Sequence, residues 1–254
     1  MPYAHATSLL PMTRYATAAQ WLRLLVAFVF AATSLCVMVF ANKVAELRFP
    51  KSTAGNMHLA LPDIGFDVLP AVRHHEVGEA FLVACIAFAL LRVVTHVDGV
   101  VITRRFAVVL GIVYLLRSVT VAATNLPDPS FRCNHYQPSP DFAHLFLAQT
   151  CGDLMFSGHT CHMVATALVV YRYTSNVVLR LFVPLLALVG AIMLIVTRFH
   201  YTDDVLLGAV ITGGVWLLVH HYATVRALRD SSTLMRWLER DAPELRGADD
   251  VRPS

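Results

Sequence analysis

The sequence predicts an all-α, polytopic membrane protein with about six transmembrane helices. Three observations carry this. Mean hydropathy is +0.60 over 254 residues. Only 15% of the residues are charged, far fewer than a soluble domain of this size needs to cover its surface. The apolar residues also fall into separate runs, each long enough to cross a bilayer and each closed by charge, proline or glycine.

Taken in order, residues 1–20 are polar and mixed and read as a short cytosolic N-terminal tail. A six-helix transmembrane unit follows over residues 21–225. Residues 24–42 carry no charge and are fenced by Arg23 and Lys43, which makes the first span. That run starts too late and is too long for a cleavable signal peptide. Residues 43–76 hold Pro50, Pro62 and Pro70 with two glycines, and read as a loop rather than a further span. Residues 80–97 form the second span, with Arg92 near its end able to snorkel to the interface. Residues 98–105 read as a short loop ending in Arg104 and Arg105. Residues 106–126 are the third span, with Arg117 about midway, where an arginine must face the protein interior or a wet cavity. A proline-containing loop at 127–150 leads to a fourth span over 155–171. A polar link at 172–180, a fifth span at 181–197 and a sixth at 205–225 complete the unit. Residues 226–254 are strongly charged and read as a cytosolic C-terminal tail.

The basic residues set an orientation. With both termini cytosolic, thirteen of the twenty lysines and arginines lie in cytosolic segments, six lie on the other side, and Arg117 is in the membrane. The loops that contain His159 and His200 then share the non-cytosolic face. Of the five cysteines, Cys36, Cys85 and Cys161 sit in apolar runs and read as small hydrophobes. Cys133 and Cys151 flank one loop, and form a disulfide if that loop meets an oxidising compartment.

Two stretches carry the chemistry. The first is Cys151-Gly152-Asp153-Leu154-Met155-Phe156-Ser157-Gly158-His159-Thr160 and the second is His200-Tyr201-Thr202-Asp203-Asp204. A titratable group at the edge of an apolar run is expensive, and so asks first for a function. If the second stretch begins a helix, His200 and Asp204 lie on one face. The carboxylate then accepts from one imidazole nitrogen and leaves the other as a nucleophilic lone pair. His159 supplies or removes a proton on the far side of the reacting centre. Gly158 allows close backbone approach, and the N–H groups of a helix start favour phosphate. Ser157 and Thr160 add hydroxyls, Arg117 and Arg198 add cations, and Tyr201 or Thr202 can bond a phosphate oxygen. Location at a membrane face implies lipid substrates, with no nucleic acid and no cofactor. Two histidines and one aspartate make a poor metal site, so no metal ligands are assigned.

Each residue also has a plainer reading. Ser157 and Thr160 are usual helix caps. Asp153 either orients His159 or a head group, or complements a helix dipole. Arg117 either holds phosphate or pairs with Asp63 or Asp153. His162 lines the cavity or packs in the core, Asp203 points to solvent, and His220 and His221 lie at the opposite interface, away from the chemistry.

These residues resemble a family. Cys151-Gly152-Asp153-x-x-x-Ser157-Gly158-His159-Thr160 is similar to the third signature of the sphingomyelin synthases and of the protist sphingolipid (inositol phosphorylceramide) synthases. His200-Tyr201-Thr202-x-Asp204-Val205 looks like their fourth. Arg117-x-x-Thr120-x-x-x-Thr124-x-Leu126-Pro127-x-Pro129 resembles the second, and Leu61-Pro62-Asp63 is an echo of the first. The resemblance implies a six-span relative of the type 2 phosphatidic acid phosphatases. Such an enzyme moves a phospho-head group from a glycerophospholipid to the primary hydroxyl of ceramide and releases diacylglycerol. It implies His159, His200 and Asp204 as the catalytic residues, and a site on the lumenal or outer face of Golgi or plasma membrane. Ala209 stands where animal members carry an aromatic residue, so the head group stays open among phosphocholine, phosphoethanolamine and phosphoinositol. A homodimer stays open as well.

Two other readings compete. A lipid phosphate phosphatase of the same superfamily would pass the phosphoryl group to water. Such enzymes carry a cationic clamp ahead of the Ser-Gly-His turn, where this chain has Gly152-Asp153, and a phosphodiester needs fewer cationic groups than a phosphomonoester. In a non-catalytic membrane protein, the histidines would only cap helices.

Overall fold

A computed structural model describes residues 17–48, 60–72, 74, 76–129 and 154–240. The described residues form nine α-helices and no strand. In chain order, α1 spans Ala18–Arg48, α2 Ile64–Val68, α3 Glu76–Thr95, α4 Gly99–Ala123, α5 Gly158–Tyr173, α6 Val177–Val196, α7 Thr202–Thr224, α8 Arg226–Ser231 and α9 Thr233–Leu238.

Five of these, α1, α3, α4, α6 and α7, are long and apolar enough to cross a membrane. Their exposed faces carry large apolar residues such as Leu25, Val83, Leu185 and Leu217, the pattern of a chain solvated by lipid. This is a multi-pass membrane protein. The expected fourth span is α5, which stands apart from these five. With 16 residues it is shorter than a usual spanning helix. It packs against α3, α4, α6 and α7 in the centre of the bundle. Its Thr160, Cys161, Met163, Ala165 and Thr166 are all buried. Enclosure by protein rather than lipid explains how one helix tolerates two histidines and two threonines.

Helix α1 lies along α4, and the two run parallel. Gly111 makes their approach possible: a Cβ there would lie 2.4 Å from the Phe30 ring. At one end Arg48 donates to the Ala122 carbonyl and Asn125 to that of Ala45. The remaining spans alternate in direction. The end of α1, residues 60–68, the end of α4 and the starts of α5 and α7 therefore gather at one end of the bundle. The starts of α1 and α4, the ends of α5 and α7, and α8–α9 gather at the other.

That other end departs from expectation in two ways. Residues 99–105 are not a loop, because α4 already begins at Gly99, and Arg104 and Arg105 are only 1% and 3% exposed. Nor are residues 226–240 a solvated tail, since they fold as α8 and α9 and return to the bundle. The reason is Glu239. Its carboxylate lies 2.7 Å from Arg105 Nη2 and 3.2 Å from Arg104 Nη2. Arg105 also reaches Tyr173 Oη at 3.4 Å, and Tyr173 Oη lies 3.0 Å from His220 Nε2. Arg23 stands 5.6 Å above the Trp237 ring, which ties α9 to α1.

Burial pushes the Glu239 carboxyl up, but the charges and hydrogen bonds of Arg105 and Arg104 outweigh it and hold the group below the usual carboxylate range. A depressed native value contributes stability above the unfolded-state value, near pH 4.3, and loses it as pH falls through the native one. Glu239→Gln leaves two buried arginines short of charge and is expected to cost about 3–5 kcal/mol. Thermal unfolding in detergent should show a lower midpoint for the variant at pH 7. Below about pH 4 the wild-type midpoint should fall toward that of the variant.

Candidate active site

The second motif is built by the way α6 ends. The N–H groups of Phe199 and His200 both donate to the Leu194 carbonyl, at 2.9 and 3.2 Å. This reversal needs a left-handed residue, and Arg198 supplies it with φ 56°. That conformation costs a non-glycine residue about 1 kcal/mol or more. The Arg198 side chain offsets the cost. Its Nη2 donates to the carbonyls of Phe66 (2.7 Å) and Leu69 (3.0 Å), and the guanidinium stacks 4.3 Å above the Phe66 ring. Arg198, a candidate phosphate donor by sequence, thus also anchors the turn through Nη2.

His200 is not on the helix, so the two residues do not share one helical face as expected. Helix α7 begins at Thr202 with Tyr201 as its N-cap, so Asp204 is its third residue and reaches backwards. Asp204 Oδ2 accepts the Tyr201 N–H at 3.3 Å and lies 3.6 Å from His200 Nδ1. The expected pairing thus arises from a helix start rather than from one helical face. Both groups are secluded, His200 at 4% exposure and Asp204 at 0%.

The first motif meets the second through the backbone. The Ser157 N–H donates to the Asp204 carbonyl at 3.0 Å. Ser157 Oγ then accepts the Thr160 N–H at 3.2 Å and caps α5. Ser157 and Thr160 are both at 0% exposure, and the Ser157 hydroxyl shapes the turn by accepting the Thr160 N–H. His159 emerges half-buried from the first turn of α5. Its ring lies 6.0 Å from that of His200, and Phe199 packs edge-on against it at 4.8 Å.

Arg117, from α4, covers Gly158. A Cβ on Gly158 would lie 2.8 Å from Arg117 Nη1, so the guanidinium occupies the space that a side chain would fill. A brace sets its place. His162 Nδ1 lies 2.8 Å from the Gly158 carbonyl and Nε2 lies 2.8 Å from Tyr114 Oη. A carbonyl can only accept, so Nδ1 carries the proton and Nε2 accepts from the tyrosine. Tyr114 is one turn before Arg117 on α4. Gly158, His162, Tyr114 and Arg117 thus close a ring, which gives His162 a bracing role.

Tyr201 Oη donates to the Pro127 carbonyl at 2.7 Å and accepts the Leu61 N–H at 3.1 Å. Burial pushes its phenol above the ordinary value, so it stays a donor at neutral pH. Asp63, an expected alternative partner for Arg117, instead accepts from Thr202 through both carboxylate oxygens, at 2.6 and 2.8 Å. Asp203 is exposed, as expected. Asp153, Cys133 and Cys151, and with them the expected disulfide, lie outside the described residues. Among the described residues, no three His, Cys, Asp or Glu side chains gather to hold a metal ion.

All four stretches singled out in the sequence meet at this end: 61–63, 117–127, 157–160 and 200–204. The braces made by Tyr114 with His162 and by Asp63 with Thr202 were not anticipated. The only trace of the first was the spacing of three residues between Tyr114 and Arg117 and between His159 and His162.

Residues 150–222 match the family model described as PAP2 superfamily C-terminal. A Caenorhabditis elegans protein named for phosphatidylcholine:ceramide cholinephosphotransferase 3 is 32% identical over 202 residues, 70% of this chain and 59% of that protein. Human phosphatidylcholine:ceramide cholinephosphotransferase 2 is 26% identical over 236 residues, 84% of this chain and 63% of that protein. Human phosphatidylcholine:ceramide cholinephosphotransferase 1 is 26% identical over 246 residues, 85% of this chain and 56% of that protein. The chain thus carries a PAP2 superfamily C-terminal domain and is homologous to these transferases, spanning about three fifths of their length.

Gly208 tests the junction. A Cβ there would lie 3.0 Å from the Ser157 carbonyl oxygen and 3.3 Å from Thr160 Cβ. The oxygen is backbone and cannot move aside cheaply. Gly208→Ala should push α7 away from the Ser157 turn and cost about 1–3 kcal/mol, read as a lower thermal midpoint in detergent. Gly213→Ala, where a Cβ meets nothing within 4 Å among the described residues, is the control and should leave the midpoint unchanged or slightly raised.

Proposed function

We propose that this chain is a ceramide phospho-head-group transferase of the sphingomyelin synthase type, and that phosphocholine from phosphatidylcholine is the group it moves. One observation carries the reading. A histidine facing a buried carboxylate at 3.6 Å shares one membrane end with a second histidine whose ring is 6.0 Å from its own. The relatives' names supply the substrates: phosphatidylcholine as donor and ceramide as acceptor.

The reaction runs in two displacements. Asp204, 3.6 Å from His200 Nδ1, closes on that nitrogen when substrate binds and keeps its proton there, so Nε2 presents its lone pair to the phosphorus of the donor. The N–P bond forms and the bond from phosphorus to the glycerol oxygen breaks. His159, protonated, gives its proton to that oxygen, and diacylglycerol leaves. Neutral His159 then takes the proton of the ceramide primary hydroxyl. The ceramide oxygen attacks phosphorus, the N–P bond breaks, and His200 returns to its starting state. Arg117, above Gly158, balances charge on the phosphoryl oxygens. The arginine-rich end faces the cytosol under the positive-inside rule, and the histidines face the lumen or the exterior.

The test gives purified protein, without added metal, fluorescent ceramide and one donor at a time: phosphatidylcholine, phosphatidylethanolamine or phosphatidylinositol. Phosphatidylcholine should yield a phospho-ceramide. His200→Ala should abolish the product, and Asp204→Asn should lower the rate about 10²–10⁴-fold. Release of phosphate from phosphatidic acid, with no transfer to ceramide from any donor, would make the protein a phosphatase instead.

A further inference from the structure

We infer that the stretch from Leu61 to Leu69 is a brace that orients His200, with Asp63 as its positioning residue. The inference rests on the transfer reaction proposed above. By sequence this stretch reads as loop, apart from the echo in Leu61-Pro62-Asp63. The contacts show more than a connection, because they grip the chain on both sides of His200.

On the N-terminal side, Arg198 is held by the carbonyls of Phe66 and Leu69 and by the face of the Phe66 ring. On the C-terminal side, Tyr201 stacks on Phe66 with ring centroids 5.4 Å apart, and its hydroxyl accepts the Leu61 N–H. Thr202 gives its hydroxyl to Asp63 Oδ1 at 2.6 Å and its N–H to Oδ2 at 2.8 Å. Asp63 also caps α2 by accepting the Phe66 N–H at 3.1 Å. One carboxylate thus serves two helix starts, α2 and α7. Gly65 makes the clasp possible, since a Cβ there would lie 2.2 Å from Thr202 Oγ1. Burial pushes the Asp63 carboxyl up, but the hydrogen bonds from Thr202, Phe66 and Gly65 outweigh it and hold the group below its ordinary range. The bonds are therefore charge-assisted, about twice as strong as neutral ones.

His200 needs such a hold. It sits on a turn between two helices, with the left-handed Arg198 two residues before it. A turn with that backbone relaxes unless its surroundings over-determine it. A nucleophile displaced by about 1 Å loses on the order of a hundredfold in rate. Loosening the brace should therefore lower kcat and spare donor binding.

The experiment compares wild type, Asp63→Asn, Thr202→Val and Thr202→Ser as full-length protein in detergent. Transfer kinetics to ceramide are measured with phosphatidylcholine as donor, and amide hydrogen exchange is measured over residues 197–204. Asp63→Asn and Thr202→Val should each lower kcat about tenfold or more, leave donor KM within about twofold, and speed exchange in this segment. Thr202→Ser keeps the hydroxyl and should behave as wild type in both readouts. If Asp63→Asn does not fold, the Thr202 pair carries the test alone. Unchanged exchange in both Asp63→Asn and Thr202→Val overturns the brace. Faster exchange with wild-type kcat, or a loss confined to donor KM, overturns the positioning role. If wild type transfers no head group, the proposed reaction fails. Exchange then judges the brace alone, and unchanged rates overturn it.

Discussion

The hydrogen bond from the Ser157 N–H to the Asp204 carbonyl is the joint on which this end of the molecule depends. It connects the residue that caps α5 with the residue that stabilises the start of α7. His159 is two residues beyond one partner, and His200 is four before the other. The joint also lets one buried aspartate work in two directions. Its carbonyl receives the first motif, while its side chain receives the Tyr201 N–H and faces His200. Gly208, one turn further along α7, keeps the two helix starts close enough for the bond to form. A bilayer has no water to satisfy stray polar groups, so helix starts inside it must find partners in the protein. Here those partners are the groups that carry the proposed chemistry.

Much of this was legible in the sequence. Apolar runs mark the five long helices because lipid imposes length and hydropathy directly on each segment. The two histidine motifs stood out because titratable residues at the edge of such runs are costly. What stayed hidden depended on distant partners. Arg104 and Arg105 read as an interfacial loop because Glu239, which neutralises them, is 134 residues from Arg105. The anchoring role of Arg198 was hidden because nothing near it in sequence shows that the carbonyls of Phe66 and Leu69 are its acceptors. The His200–Asp204 spacing suggested a shared helical face, yet the helix starts between the two, and the contact survives because a third-position carboxylate reaches back over its own helix start.

The two ends of the bundle use buried charge differently. At the arginine-rich end, Glu239 is enclosed by cations whose attraction outweighs the penalty of burial, and the cluster fastens α8 and α9 to α4. A tyrosine and a histidine extend that network without opening it. At the histidine end, no such cationic cage lies within hydrogen-bond reach of the Asp204 carboxylate among the described residues. Its Oδ2 accepts one backbone N–H and lies 3.6 Å from His200 Nδ1, and its Oδ1 has no hydrogen-bond partner among the described residues. A buried carboxylate held so lightly is poorly suited to fastening helices together. In the proposed reaction its place is beside the His200 ring, 3.6 Å from Nδ1.

The difference in exposure between the two histidines fits a division of labour. His200 is enclosed between Phe199, Asp204 and the turn that Leu61 to Leu69 clasps, so its freedom to rotate is small. His159 is less enclosed and stands on the first turn of a helix. In the proposed double displacement the nucleophile must return to one geometry in both halves of the cycle, whereas the acid–base group must meet two different alcohols, one leaving and one arriving. Rigid support therefore belongs around His200, and accessibility belongs at His159. The many contacts from Asp63, Phe66 and Arg198 converge on the turn of the first histidine rather than on that of the second, as this reasoning requires.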